Sequence, residues 1–249
     1  MILILKLLLT PFLIALATLA GRRWGPAFSG WFIGFPLTSG PVSVILALQH
    51  GPGFASQAAI GNLGGLASIS VFCLAYTFAA QRWNVWPSLV SAIGAYLLAT
   101  AAWSQFRLSL WPTAIVALVI NGLVIYVIPK GSSLIPAAST ARWDIPSRML
   151  IATAFVFTLT TAASTLGAQL SGLITPFPIF GSVLAAFAHR QQGAGAARSF
   201  LRGHAVSLFG FAAFFLVVGG ALTALPLAWV YPLATLSAIV VNGITLRAG

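Results

Sequence analysis

Acidic residues are almost absent from this chain. Asp144 is the single carboxylate among 249 residues, and charged side chains of both signs make up 5 % of the sequence. A soluble domain carries about a quarter charged residues, so this chain has too few to cover the surface of a soluble enzyme. Disordered chains combine low hydrophobicity with many charges, and that class is excluded as well.

Cysteine and catalytic motifs are equally scarce. The one cysteine, Cys73, lies in an apolar run, where we expect an inert core residue without a disulfide partner. The three histidines are scattered along the chain and do not have the spacing of a metal site. The sequence contains no Ser/His/Asp set, paired carboxylates or phosphate loop, so we expect neither an enzyme nor a bound cofactor.

Long apolar runs dominate what is present. Apolar residues make up 59 % of the chain, and its mean hydropathy is +1.02. Runs of about 18–22 residues have the length of a membrane-spanning helix. The sequence therefore predicts an all-α, polytopic transmembrane helix bundle with about nine spans, at 3–20, 29–49, 57–79, 86–105, 109–128, 149–166, 169–189, 203–223 and 227–245.

The basic residues predict the orientation of this bundle. The formal net charge is +11, and the cations lie a few at a time in the loops between the spans. With the N-terminus outside and the C-terminus in the cytoplasm, only Lys6 and Arg107 lie outside, which satisfies the positive-inside rule. Loop cations of this kind interact with lipid headgroups, so we expect membrane lipids as partners and no nucleic acid.

An internal repeat appears when the chain is aligned with itself so that Ser29 lies over Ser171, a shift that we call the repeat offset. Segment 29–36 then aligns with 171–178, and segment 49–55 aligns with 191–197, without a gap. The repeat predicts a first four-helix unit at 1–106, a linker helix and cytoplasmic loop at 107–148, and a second unit at 149–249. One linking span turns the second unit over, and matching loops exchange their positive charge as that inversion requires. Inverted repeats are typical of secondary transporters.

Glycine and proline are concentrated in spans 2 and 7. Gly34, Pro36, Gly40 and Pro41 interrupt span 2, and Pro176, Pro178 and Gly181 interrupt span 7. Broken helices at matching places in inverted halves indicate a binding site near the bilayer midplane. The candidate substrate-binding residues lie in these breaks and in the adjoining spans 3 and 8: Phe35, Thr38, Ser39, Asn62, Thr175, Phe177, Ser182 and His204.

A structural role is the alternative for each of these side chains. The hydroxyls can cap the kinks, the phenylalanines can simply pack, and Asn62 and His204 can join helices. Gly61-x-x-x-Gly65 and its counterpart Gly203-x-x-x-Ser207 predict places where helices cross closely. Asp144, next to a proline and outside the predicted spans, is expected to be a helix cap.

The four-span unit resembles the GlpM-type family of small bacterial inner-membrane proteins. The likeness lies in a first apolar span followed by a glycine-rich entry with Phe-Pro, at Gly30 to Pro36 and again at Gly172 to Pro178. It implies a tandem, inverted fusion of two such units in a bacterial inner membrane. The family has been associated with exopolysaccharide (alginate) production, and its single units would pair as antiparallel dimers. Whether the present chain forms a homodimer is left open.

The function expected from these features is transport. No predicted span contains Asp or Glu, so coupling to protons or metal cations through a carboxylate is disfavoured, and a small neutral or anionic solute fits better. The sequence therefore predicts a permease that alternates access around spans 2 and 7. Two alternatives are a flippase of a lipid or lipid-linked sugar phosphate, and a non-transporting scaffold subunit of an envelope polysaccharide system.

Overall fold

Helices form all the regular structure in the part of the chain that is described. The computed structural model describes residues 2–130, 143–165 and 177–248. Its ten elements are α1 (Ile2–Trp24), α2 (Pro26–Ile33), α3 (Ser39–His50), α4 (Pro52–Ala79), α5 (Val85–Trp103), α6 (Leu110–Val127), α7 (Asp144–Thr165), α8 (Ile179–Gln192), α9 (Ala194–Ala221) and α10 (Leu227–Ala248). The all-α prediction is confirmed for these residues.

Six of the described helices are long and apolar enough to cross a membrane. They contain the stretches Leu7–Trp24, Pro52–Ala79, Val85–Trp103, Leu110–Val127, Ala194–Ala221 and Leu227–Leu246. These six fit a multi-pass membrane protein and correspond to predicted spans 1, 3, 4, 5, 8 and 9. Predicted span 2 is divided between the short helices α2 and α3, and part of predicted span 7 lies outside the described residues. The count of nine spans stays a prediction.

Helices α4 and α9 form the centre of the bundle. Each has 28 residues, and 61 % and 56 % of their apolar stretches are buried, against 22 % for α5 and α10. The peripheral helices expose large apolar side chains, such as Leu98 on α5 and Val119 on α6. Such apolar faces suit a lipid environment, because the hydrocarbon chains of lipids offer no hydrogen bonds to polar side chains.

Side-chain hydrogen bonds join the central helices. The Ser56 hydroxyl, near the start of α4, donates to the carbonyl of Gly219 near the end of α9, at 2.8 Å. The two helices therefore pack antiparallel. In α6, the fully buried Asn121 accepts from Ser70 of α4 at 2.9 Å and donates to the Ala205 carbonyl of α9 at 3.0 Å. Polar side chains of this kind fasten helices where lipid offers no hydrogen bonds.

Glycine allows α2 to lie directly on α9. A Cβ added to Gly30 would overlap the Phe200 carbonyl oxygen, and one added to Gly203 would overlap the Ala27 carbonyl oxygen. The predicted close crossing at Gly203 is thereby confirmed. Gly61, its counterpart on α4, is exposed, and an added Cβ would have no described atom within 4 Å. The predicted close crossing at Gly61 is therefore not found among the described residues.

Three glycines link successive helices at sharp corners. Gly25, Gly51 and Gly193 have φ values of 90°, 88° and 84°, which side-chain-bearing residues rarely adopt. Because α9 begins immediately after Gly193, it starts well before the predicted span at 203. Arg198 and Arg202 therefore lie in the helix, which corrects their expected place in a loop. Arg202 reaches α6 and donates to the Ile125 and Ile128 carbonyls, both at 2.5 Å.

Helix boundaries recur at the repeat offset found in the sequence. The starts of α1 and α7, of α4 and α9, and of α5 and α10 are each related by this offset, as are the ends of α4 and α9. The glycine corners at Gly51 and Gly193 are related in the same way. Helix α6 lies between the two sets and has no counterpart among the described helices.

We expect Gly30→Ala and Gly203→Ala to destabilise the protein strongly. Each added methyl would meet backbone of the facing helix, which cannot move aside as a side-chain end can, and overpacking of this kind costs about 2–3 kcal/mol. The measurement is thermal unfolding of the purified protein in detergent.

Gly94→Ala on α5 is the matched control. No described atom lies within 4 Å of its added Cβ, so the change should be neutral or stabilise by about 0.5–1 kcal/mol through helix propensity. Equal unfolding temperatures for all three variants would contradict the close α2–α9 contact.

Candidate functional site

The helix of predicted span 2 is interrupted at residues 34–38. Helix α2 ends at Ile33 and α3 begins at Ser39, and Pro36 between them has no N–H to continue the helical hydrogen bonds. Phe35 is half-buried and lies edge-on to Trp31 at 5.0 Å. Thr38 occupies the N-cap position of α3, but its side chain makes no capping hydrogen bond. Thr38 and Ser39 are half-buried.

The described part of predicted span 7 begins beside a second proline. Helix α8 starts at Ile179, directly after Pro178. The ring of Phe177 packs edge-on against Tyr96 of α5 at 5.2 Å and against Phe155 of α7 at 5.5 Å. Ser182 is 1 % exposed, and its hydroxyl has no hydrogen-bond partner among the described residues. Thr175 lies outside the described residues.

His204 is the candidate residue that meets both of these regions. It lies on α9 and is buried, with its ring stacked on that of Phe200. A Cβ added to Gly34 would lie 3.0 Å from the His204 carbonyl oxygen, and one added to Gly181 would lie 3.5 Å from Nε2. The imidazole Nδ1 makes no hydrogen bond among the described residues. His204 therefore lies between the end of α2 and the start of α8.

The remaining candidates do not join this group through any described contact. Asn62 is half-buried on α4 and donates to the Ala58 carbonyl of its own helix at 2.9 Å. The ring contacts of Phe35 and Phe177 are with other aromatic side chains. The described site thus consists of His204, the glycines that contact it, and the buried Ser182 beside Gly181.

A second polar group, which the sequence did not predict, surrounds Asp144. Its carboxylate accepts from Arg22 of α1 at 2.8 Å, from Arg148 of α7 at 3.0 Å and from Gln191 of α8 at 2.5 Å. Arg148 also donates to the Gln191 side chain at 2.6 Å. The expected helix cap is not found, because Asp144 is itself the first residue of α7 and every described hydrogen bond to its carboxylate comes from a side chain. We call these four residues the Asp144 cluster.

The Asp144 cluster fastens three helices at one end of the bundle. The Asp144 side chain is 2 % exposed and that of Arg148 is 9 % exposed, whereas Arg22 is partly exposed at 29 %. The Arg148 guanidinium also lies over the ring of Phe187, 4.7 Å from its centre. Only the spacing of Asp144 and Arg148, four residues apart on one helix, could have indicated part of this group in advance.

Hydrogen bonds and charge keep the Asp144 carboxylate ionised. Burial opposes ionisation, but it is outweighed by the hydrogen bonds from Gln191 and Arg22 and by the charge of Arg148. The pKa of the Asp144 carboxyl therefore lies below its ordinary value. At neutral pH the cluster holds two guanidinium cations and one carboxylate.

A small cavity adjoins the cluster. Its volume is about 40 Å³, and its lining includes Thr18, Ser29, Arg148, Gln192 and Phe200. Because the Phe200 ring stacks on His204, one side chain separates this cavity from the His204 site. The Asp144 cluster, the cavity and His204 therefore follow one another along the inside of the bundle.

No family model, curated protein or solved structure matches the chain.

We expect Asp144→Asn to lower the free energy of unfolding by about 3 kcal/mol, because two guanidinium groups would lose their counter-ion in a largely buried place. Thermal unfolding in detergent measures the change. Arg82→Gln removes an exposed cation and is the control, with an expected effect within about 0.5 kcal/mol. Similar small effects for both variants would contradict a stabilising Asp144 cluster.

The pH dependence of this stabilisation follows from the lowered pKa. A carboxylate whose pKa is depressed by folding stabilises the fold above its unfolded pKa, and this stabilisation is lost as the pH falls through the folded pKa. The difference in unfolding temperature between the wild type and Asp144→Asn should therefore stay constant from pH 5 to pH 8. It should shrink only below about pH 4. A difference that shrinks between pH 8 and pH 5 would contradict the assigned ionisation.

Proposed function

We propose that this protein is a membrane permease for a small neutral or anionic solute. In this proposal the solute binds near the interrupted spans 2 and 7, and access alternates between the two faces of the membrane. The observation that carries the proposal is the position of His204. Its backbone carbonyl lies beside Gly34 at the end of α2, and its buried imidazole lies beside Gly181 at the start of α8, so this residue lies where the two regions meet.

The unpaired polar atoms at this place favour ligand binding over simple packing. The His204 Nδ1 and the Ser182 hydroxyl both lack hydrogen-bond partners among the described residues. A buried polar group without a partner costs about 1–3 kcal/mol, a cost that a bound solute or water would relieve.

The alternating mechanism requires two similar units in opposite orientation. Its support is the recurrence of helix boundaries at the repeat offset together with the antiparallel packing of α4 and α9. If α4 and α9 are equivalent helices and both cross the membrane, antiparallel packing makes the two units face opposite ways. Units related in this way can exchange conformations, which would open the site first to one face and then to the other.

We further propose that the end of the bundle carrying the Asp144 cluster faces the cytoplasm. Arg22 and Arg148 bind Asp144 at the start of α7, and Arg148 also binds Gln191 near the end of α8. Arg202 binds carbonyls at the end of α6. The positive-inside rule favours the cytoplasm for a basic end. This places the N-terminus outside. The resemblance to GlpM-type proteins suggests that the membrane is a bacterial inner membrane.

The test is cysteine labelling in a Cys73→Ala background, which removes the native buried thiol. Ser39→Cys and Ser182→Cys are each treated with a membrane-impermeant thiol reagent from either face. We expect each site to react from both faces, with reaction from one face protecting it from the other, because a permease exposes its site alternately.

Val119→Cys is the matched control for this experiment. Val119 lies in the middle of α6 and is 55 % exposed, so in the proposed membrane it faces lipid and should react from neither face. If Ser39→Cys and Ser182→Cys, like this control, react from neither face, the interrupted regions are closely packed and inaccessible to solutes. The permease proposal would then be contradicted, and a non-transporting scaffold would replace it.

A further inference from the structure

The cavity beside the Asp144 cluster has an excess of positive charge. Arg22 and Arg148 face a single carboxylate, and this carboxylate is the only one in the sequence. The bonds described above use one nitrogen of Arg22 and two of Arg148, so each guanidinium retains N–H groups beyond those bonds. A guanidinium donates strongly to anions, with shorter and stronger bonds than a neutral donor makes.

Two further polar groups of the cavity lack partners. The Thr18 hydroxyl belongs to a side chain that is 4 % exposed, and it makes no hydrogen bond among the described residues. The side-chain oxygen of Gln192 is buried and also unpaired there. Rotation of the Gln192 amide would present its NH₂ group instead, so both side chains can donate to a ligand in the cavity.

The size of the cavity limits that ligand. A water molecule needs about 10–15 Å³ of such volume, so a cavity of about 40 Å³ admits about three waters, or one halide-sized ion with a water. A whole phosphorylated sugar or lipid headgroup is larger than this volume. The charge excludes cations, since any cation would lie beside Arg22 and Arg148.

We propose that this cavity is a binding site for a small monovalent anion, held by Arg22, Arg148 and Thr18, with Asp144 as the internal counter-ion that competes with it. The anion site depends on the proposed function in one respect: the permease proposal places the site on the pathway of the transported solute. If both proposals hold, the class of transported solute is restricted from neutral or anionic to anionic. The anion would bind between the Asp144 cluster and Phe200, whose ring stacks on His204.

The test is the dependence of thermal unfolding on the anion. The purified full chain in detergent is titrated with sodium chloride, nitrate or formate, and sodium gluconate maintains a constant ionic strength because gluconate is too large for the cavity. We expect a saturable rise in unfolding temperature with the small anions. Thr18→Val keeps the shape of the side chain and removes only its hydroxyl, and it should weaken the apparent affinity about tenfold.

Charge variants sharpen this test. Asp144→Asn removes the competing carboxylate, so the apparent affinity for the anion should rise by at least about tenfold. Arg202→Gln removes a cation that binds the end of α6 outside the cavity, and it should keep the affinity of the wild type. The proposal would be overturned if the unfolding temperature did not change with anion concentration. It would also be overturned if the wild type and Thr18→Val showed the same apparent affinity for the anion.

Failure of this site and failure of the permease can be distinguished in proteoliposomes. Saturable anion binding without flux of any solute would support the site and contradict the permease. Flux of neutral solutes, with no effect of small anions on flux or unfolding, would support the permease and overturn the anion site.

Discussion

The backbone contact between α2 and α9 determines where the polar groups of this protein lie. Gly30 and Gly203 let the two helices touch through carbonyl groups. Within a membrane, the hydrophobic effect does not press helices together, so close packing of small residues takes its place. The contact sets the interrupted end of α2 on the turn of α9 that carries His204. A side chain at either glycine would separate the helices and move His204 away from the interruption.

Charge is distributed unequally between the two units. At the repeat offset, the positions equivalent to Asp144, Arg148 and Gln191 are Ile2, Lys6 and Gln49, so the opposite end lacks the carboxylate. The Asp144 cluster joins α1, α7 and α8 at one end only. In the proposed mechanism, the conformation in which the solute site is closed at this end is therefore more stable than the conformation in which it is open there. An anion that competes with Asp144 would weaken the contacts of the cluster and favour the conformation that is open at this end.

The sequence was a good guide to features that depend on local patterns. The long apolar runs predicted the boundaries of α5 and α6 to within two residues, since length and hydropathy fix a spanning helix. Gly51 and Gly193 appeared in the aligned segments before the structure showed their positive φ values. The burial of Cys73 was predicted and is confirmed.

Features that depend on distant segments meeting could not be predicted in this way. The Asp144 cluster needs three helices to converge, and only the Asp144–Arg148 spacing is visible in one of them. The contact of His204 with Gly181 arises from the packing of α8 on α9. The early start of α9 was missed because Arg198 and Arg202 lower the hydropathy of its first turns, although Arg202 is accommodated by carbonyls of α6.

The most direct test of this account is the orientation of the two glycine corners. Gly53 and Gly195 lie at equivalent positions, and an added Cβ would have no described neighbour within 4 Å at either one. Single cysteines at these positions, in a Cys73→Ala background, are labelled with an impermeant maleimide in intact cells and in inverted vesicles. The account predicts that Gly53→Cys reacts only from outside and Gly195→Cys only from the cytoplasm. Labelling of both positions from the same face would contradict the inverted arrangement and, with it, alternating access.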